Sequence, residues 1–281
     1  MEKNNWLIDY KRNVKSQYGE DGILEKIFEI IKGNNWCVEF GVWDGKLGSN
    51  SYNLIKNKGW SGVLIEKDKK RFKDLFKTYE KNPQVICLNK TIGFKQDNLI
   101  DIILSKISIP FNFDLLSIDV DGLDYHIWAS MKIFKPKVVV IEFNPTIPND
   151  VRFIQKKDMK INQGSSLLSI ILLAKKKGYE LVTTTLTNAI FVKKKFFDLF
   201  DLKNNSIDVM NDSKFLQTRI FQLYDGTLVV VGRNRLNWHR IINLQNKIQV
   251  LPKFLRKYPQ NYNIFQKIIF NAYMIIYRVF F

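Results

Sequence analysis

The alternation of apolar and polar positions divides the first two thirds of the chain into short apolar runs separated by helical stretches. Ile23, Leu24, Ile27, Phe28, Ile30 and Ile31 recur at spacings of three and four, the period of an amphipathic helix. The polar run Ser16–Asp21 ahead of them is placed to cap its N-terminus. Cys37–Phe40 is the first strand, and a helix through Tyr52, Leu54 and Ile55 stops at Gly59. A second strand, Gly62–Ile65, precedes a helix marked by Phe72, Leu75, Phe76 and Tyr79 that ends before Pro83. Gln84–Leu88 is the third strand, Leu99–Leu104 a helix, Asp114–Asp119 the fourth strand and Tyr125–Met131 a short helix. Lys137–Phe143 (KVVVIEF) is nearly continuous and β-branched, as buried parallel strands are. A helix over Leu167–Lys177 ends at Gly178, and Tyr179–Thr184 and Ala189–Val192 form two strands joined by a short turn. Strands alternating with helices at this spacing predict an α/β, doubly wound, mostly parallel sheet with right-handed crossovers.

After Lys195 the pattern changes. Arg219–Tyr224 and Thr227–Val231 flank Asp225-Gly226, which predicts a two-residue hairpin turn. The last stretch, Ile264–Phe281, is apolar except for Lys267, Asn271 and Arg278, whose spacing puts them on one helix face. Two full charges make it a poor membrane span; an in-plane membrane helix or a helix docked on protein fits the pattern. The organisation expected is a helical segment over 1–35, an α/β domain over 36–195 and a C-terminal α+β extension over 196–281.

Composition sets the bounds. With 281 residues, 46% of them apolar and 14% aromatic, the chain can bury a sizeable core. Cys37 and Cys87 both lie in apolar runs, which excludes a disulfide framework and reads as two thiols in a reducing compartment. The N-terminal MEKNNWLIDYKRN has no continuous apolar stretch and is not a signal peptide, so a cytoplasmic protein is expected. The formal charge of +17 is uneven: from Gly226 onward there are nine Lys and Arg and no Asp or Glu. Such a tail is either a solvated surface or tracks an anionic membrane, nucleic acid or an acidic partner. In the membrane case the protein sits peripherally at the inner face.

Candidate chemistry gathers at strand ends. Trp36–Gly45 reads WCVEFGVWDG, an apolar strand with the acid Glu39 running into a glycine turn, and the next strand closes on Glu66. Glycine allows close backbone approach to a ligand, and an acid at the end of the second strand reaches a ribose diol. The turn Gly41-Val42-Trp43-Asp44-Gly45 has Trp43 where a dinucleotide loop has its middle glycine. A pyrophosphate needs that approach and S-adenosylmethionine does not, so S-adenosylmethionine is favoured over NAD. Glu39 either orients the loop or meets the methionine amino group; Glu66 takes the ribose hydroxyls.

The fourth strand ends in Asp119, Asp121 and Asp124, and the fifth in Glu142-Phe143-Asn144-Pro145. Acids at neighbouring carboxyl ends are costly unless solvated, metal-bound or catalytic. Asp119, Asp121, Glu142 and Asn144 therefore form a candidate hard-oxygen site for Mg²⁺ or another divalent cation, the alternative being caps and direct cofactor or substrate contacts. His126 is a candidate base for a hydroxyl proton or simply a helix-surface residue. His239, in NWHR, belongs with tail packing. The Asn/Asp-Pro-Pro-aromatic turn of base-modifying enzymes is absent after the fourth strand, which argues against a nucleic-acid substrate.

Taken together, SQYGEDGILEKIF, VEFGVWDGKLGSN, GWSGVLIEKD, DLLSIDVDGLDYHIW and VVVIEFNP resemble, in that order, the FkbM-type branch of class I S-adenosylmethionine-dependent methyltransferases, over about Ser16 to Val192. The resemblance implies a Rossmann-like sheet of seven mostly parallel strands with helices on both faces. It also implies O-methylation, with sugars or glycan precursors as acceptors. It implies cofactor roles for Glu39, Gly41, Asp44, Gly45 and Glu66, and active-site placement for Asp119, Asp121 and Asp124. The final tight strand pair fits the same class. The alternative is an inactive methyltransferase-fold binding protein on a membrane or glycan-assembly complex.

Overall fold

The computed structural model describes residues 4–235 and 241–280. They fall into two compact units, Met1–Asp212 and Ser213–Phe281. In the first, seven strands form one sheet: β1 (Trp36–Phe40), β2 (Ser61–Glu66), β3 (Val85–Asn89), β4 (Leu115–Ile118), β5 (Val138–Glu142), β6 (Tyr179–Thr184) and β7 (Asn188–Lys193). Their order is β3-β2-β1-β4-β5-β7-β6, with β7 antiparallel to both neighbours and the others parallel. This is the α/β, Rossmann-like sheet the sequence predicts. Each strand expected of it is present, with ends shifted by at most one residue.

The central strands are apolar because both faces are covered. Val138, Val139, Val140 and Ile141 of β5 are all fully buried, as are Leu115 and Leu116 of β4. The helices are α1 (Glu20–Ile30), α2 (Tyr52–Lys58), α3 (Lys69–Tyr79), α4 (Ile100–Leu104), α5 (Asp124–Ser130), α6 (Leu167–Lys176), α7 (Lys194–Phe197) and α8 (Ile207–Met210). Gly59 ends α2 at φ +71°, the left-handed stop expected of it. The polar run before α1 acts as a small network. Ser16 Oγ accepts the Asp21 N–H at 3.1 Å, and Asp21 Oδ2 in turn accepts the N–H groups of Val14, Lys15 and Ser16.

The unit boundary falls at 212/213, so the first unit takes in the N-terminal segment and residues 196–212. Trp6 Nε1 donates to the Phe200 carbonyl at 3.0 Å, and Asn5 Nδ2 to that of Met210 at 3.2 Å. Thr183 and Thr184 of β6 bond Asn5 Oδ1 and the Met210 carbonyl. Leu7, Phe200 and Met210 are buried with them. Both flanking segments thus complete the layer over β6, a long-range arrangement that local periodicity does not register.

The second unit contains a hairpin, β8 (Thr218–Gln222) with β9 (Leu228–Gly232), and the helix α9 (Ile264–Phe280). The turn is not the two-residue Asp225-Gly226 type. The Gly226 N–H donates to Leu223 O and the Leu223 N–H to Thr227 O, with Gly226 at φ +81°. That makes a three-residue loop whose last residue is left-handed. His239 and its neighbours Trp238 and Arg240 lie outside the described residues.

Candidate functional site

The parallel register brings the carboxyl ends of β1, β2 and β4 level, Phe40 lying beside Ile65 on one side and Ile118 on the other. There the chain leaves β1 through Gly41, at φ +80°, where an added Cβ would lie 1.7 Å from the Asp119 carbonyl oxygen. Glycine is obligatory because the β1 and β4 loops touch there. Its N–H donates to Ile65 O at 3.1 Å. Two residues on, Trp43 is also left-handed (φ +53°), and its N–H donates to Glu66 Oε2 at 3.0 Å. Glu66 Oε1 accepts the Asp68 N–H at 2.8 Å. One carboxylate therefore joins the loops that follow β1 and β2.

Between these loops and the end of β4 lies a cavity of about 220 Å³. Gly41, Trp43, Glu66, Asp119, Asp121 and Leu123 line it. Trp43 is 47% exposed, and the Arg71 guanidinium lies 4.1 Å from its ring centroid, within cation–π range. Lys67, Arg71 and Lys90 add positive charge to a lining that also holds Glu66, Asp119 and Asp121.

Of the five residues expected to hold a cofactor, Gly41 and Glu66 line this cavity. The other three build it from behind. Glu39 is buried, and its carboxylate accepts hydrogen bonds from the hydroxyls of Ser49 and Ser51 and from the N–H groups of Asn50 and Ser51. It orients the Ser49–Ser51 turn that starts α2, not the Gly41–Gly45 loop expected of it, and it does not line the cavity where an amino group would meet it. Burial raises its pKa against the lowering by those donors. Asp44 Oδ1 accepts from the N–H groups of Lys46 and Leu47, both at 2.9 Å, and shapes the glycine turn. Gly45 faces α3: a Cβ there would sit 2.6 Å from Leu75 Cδ1, and Tyr79 OH donates to its carbonyl at 2.9 Å.

The acids at β4 and β5 do converge. Asp119, Asp121 and Glu142 each place a carboxylate oxygen within 4.8 Å of the others. Burial, followed by the charges of Asp124 and Asp121, pushes Asp119 up to about 7. Burial, followed by the charge of Asp119, drives Glu142 well above the ordinary range and so favours its protonated form. A side-chain hydrogen bond joins the two carboxyl groups. Asp121 is exposed and stands at φ +58°. Three oxygen-bearing acids at this spacing fit a hard divalent cation. Asn144, the expected fourth ligand, does not: its Oδ1 accepts from the N–H and hydroxyl of Thr146, and its Nδ2 donates to Gln163 O.

Asp124 and His126 have other duties. Asp124, 2% exposed, accepts the N–H groups of Val120 and Gly122 at 2.9 and 2.8 Å and so braces the Asp119–Leu123 loop. Burial pushes it up to about 6. His126 Nε2 lies 2.7 Å from Gln155 O. A carbonyl only accepts, so Nε2 carries the proton and is committed to that bond. The ring rests between Phe94 and Tyr125 and does not line the cavity.

Sequence reasoning missed the wall formed by residues 143–166. Gln155 is 1% exposed; its Oε1 accepts the N–H groups of Gln163 and Gly164, and its Nε2 donates to Ile161 O, all at 2.7 Å. The clasped loop carries Met159 and Asn162 to the cavity. The one signal available was length, since long aperiodic loops in compact domains are commonly functional.

No family model and no curated protein matches this chain. Among solved structures it is similar to the N-terminal domain of EvdMO1, crystallised in the presence of SAH and D-fucose. That likeness has 13% identity over 62% of this chain and 82% of that one, with a TM-score of 0.40. It is similar to TrmK of M. capricolum in complex with SAH, at 14% identity, 60% and 65% coverage and a TM-score of 0.38. A SAM-dependent methyltransferase from Aquifex aeolicus gives 12% identity, 62% and 88% coverage and a TM-score of 0.37. Likeness at this level carries no weight for activity or substrate, which rest on the geometry of the site.

Proposed function

We propose that the chain binds S-adenosylmethionine in this cavity and transfers its methyl group to a hydroxyl of a sugar or glycan precursor. The observation that carries the reading is Glu66 at the end of β2, buried, tied to the Trp43 N–H, and still lining the cavity. Each of its oxygens accepts one backbone N–H and retains a second lone pair for a ribose hydroxyl. At the other end, Asp119 lines the cavity and suits a ligand that carries positive charge on its sulfonium. Trp43 occupies the position a pyrophosphate would need open, which disfavours NAD.

Displacement from a sulfonium needs alignment and removal of the acceptor proton more than electrophilic help. Asp119, poised near neutrality, is the residue to receive that proton, and the Glu142 carboxyl hydrogen-bonded to it tunes its basicity. If a divalent cation such as Mg²⁺ takes part, Asp119, Asp121 and Glu142 would hold it, and it would lower the pKa of the acceptor hydroxyl. Gln17, Lys90 and Asn162 around the cavity favour a hydroxyl-rich acceptor. The ordered sequence blocks support the FkbM-type branch.

Calorimetry with S-adenosylmethionine, S-adenosylhomocysteine and NAD tests the reading. Micromolar binding of the first two and none of NAD is expected, followed by methyl transfer to sugar hydroxyls in an acceptor screen. Binding of none of the three overturns it. Cofactor binding with no turnover on any acceptor leaves the inactive binding protein.

A further inference from the structure

α9 has two apolar sides, and its own unit uses only one. On the used side Gln266 is buried and donates through Nε2 to Phe254 O at 2.7 Å. Tyr273 OH donates to Val250 O at 3.0 Å, and the Phe270 ring meets that of Tyr262 at 5.6 Å. At 3.6 residues per turn, Ile264, Phe265, Ile268, Ile275, Ile276 and Val279 fall together within about 120° of arc on another side. Each is between 59% and 80% exposed. Lys267, Asn271 and Arg278 run along one border of that exposed face.

Charge decides what covers it. From Gly226 onward the chain has nine Lys and Arg and no acid, and the residues before Gly226 carry 35 Lys and Arg against 27 Asp and Glu. The same stretch of a second copy, which has no acid either, therefore offers no negative counter-surface. Nucleic acid would match the charge but leave six large apolar side chains in water. The helix spans about 25 Å, short of the roughly 30 Å hydrocarbon core, and no helix among the described residues is long and apolar enough to cross a membrane.

We propose that α9 lies in the plane of an anionic phospholipid surface. The Ile264–Val279 face enters the acyl boundary, Lys267 and Arg278 sit at headgroup level, and the remaining cations of the unit add long-range attraction. This docking is independent of the chemistry assigned to the cavity.

The test is co-sedimentation of the full-length protein with vesicles of phosphatidylcholine containing phosphatidylglycerol, against vesicles of phosphatidylcholine alone. Binding to the anionic vesicles at low salt is expected, weaker by about tenfold on neutral vesicles and on raising the salt. Ile268→Asn with Ile275→Asn should reduce binding about tenfold, while circular dichroism and the melting midpoint stay unchanged. Lys267→Gln with Arg278→Gln, which leaves the apolar face alone, should weaken binding to anionic vesicles only. Indifference to anionic vesicles overturns the proposal, as does undiminished binding of the Ile268/Ile275 variant. So does lipid-free self-association that the same variant abolishes, or retention on RNA in place of vesicles.

Discussion

The Glu66 carboxylate accepts the backbone N–H of Trp43 at 3.0 Å, so the acid at the end of β2 and the glycine turn after β1 form one unit. Removing the acid removes a ligand contact and loosens the turn that faces it. Glu66→Ala is expected to weaken S-adenosylmethionine binding at least about tenfold, or about 1.4 kcal/mol, by calorimetry. Glu66→Gln retains an acceptor for Trp43 and should lose less. Unchanged affinity in the alanine variant removes the ribose assignment.

Gly41→Ala introduces a methyl group where 1.7 Å separates it from the Asp119 carbonyl, at a φ that alanine resists. Strain and overpacking together should cost about 2–4 kcal/mol, read from the denaturant midpoint. Cofactor binding should fall with it, because the β1 and β4 loops must separate.

Asp121→Asn should abolish methyl transfer while leaving cofactor affinity near normal, since the side chain is exposed and grouped with Asp119 and Glu142. In the unsubstituted protein the rate should rise with pH through about 7, as Asp119 loses its proton. Full activity of the Asp121 variant, or a flat profile between pH 6 and about 8, would take the acids out of the mechanism.

Glu142 is held neutral by burial, with a folded-state pKa above its unfolded one. The stability this contributes is fully present below the ordinary glutamate range and is lost as pH rises toward the folded value, because the unfolded chain ionises freely. Thermal midpoints should therefore decline from mildly acidic to alkaline pH. Glu142→Gln should flatten that slope and raise the midpoint most at the alkaline end. A steeper slope in the variant would contradict the assignment.

His126→Gln should leave turnover within about threefold, since the ring is bonded to Gln155 O and stands off the cavity. Losing that bond should lower stability by about 1 kcal/mol.

β5 was legible because a parallel strand buried on both faces must be apolar along nearly its whole length, as Val138–Ile141 is, and the other strands of the sheet because short apolar runs alternate there with helical spacing. Gly41 and Glu66 were legible for a related reason: strand direction fixes which end faces a ligand. Glu39, Asp44 and Gly45 stand beside them in sequence, but a turn has two sides and residue order does not say which one a side chain takes. His126 shows the same limit on a helix. Two residues after Asp124 it is rotated by about 200°, to the side away from the acids. The Gln155 clasp was invisible, because every bond of its side chain goes to backbone groups, which leave no imprint on residue type.

That clasp has a consequence for how the protein can diversify. Gln155 spends all its side-chain bonds closing the chain from 155 to 164 into a ring, and the ring is joined to the scaffold beneath at few points. The segment between is closed on itself by those bonds. Met159 and Asn162 can be replaced, or the loop resized, without disturbing a strand. Under the proposed function, acceptor preference would then drift among descendants of this chain, or be rewritten by design, while the Gly41 and Glu66 side of the cavity stays fixed.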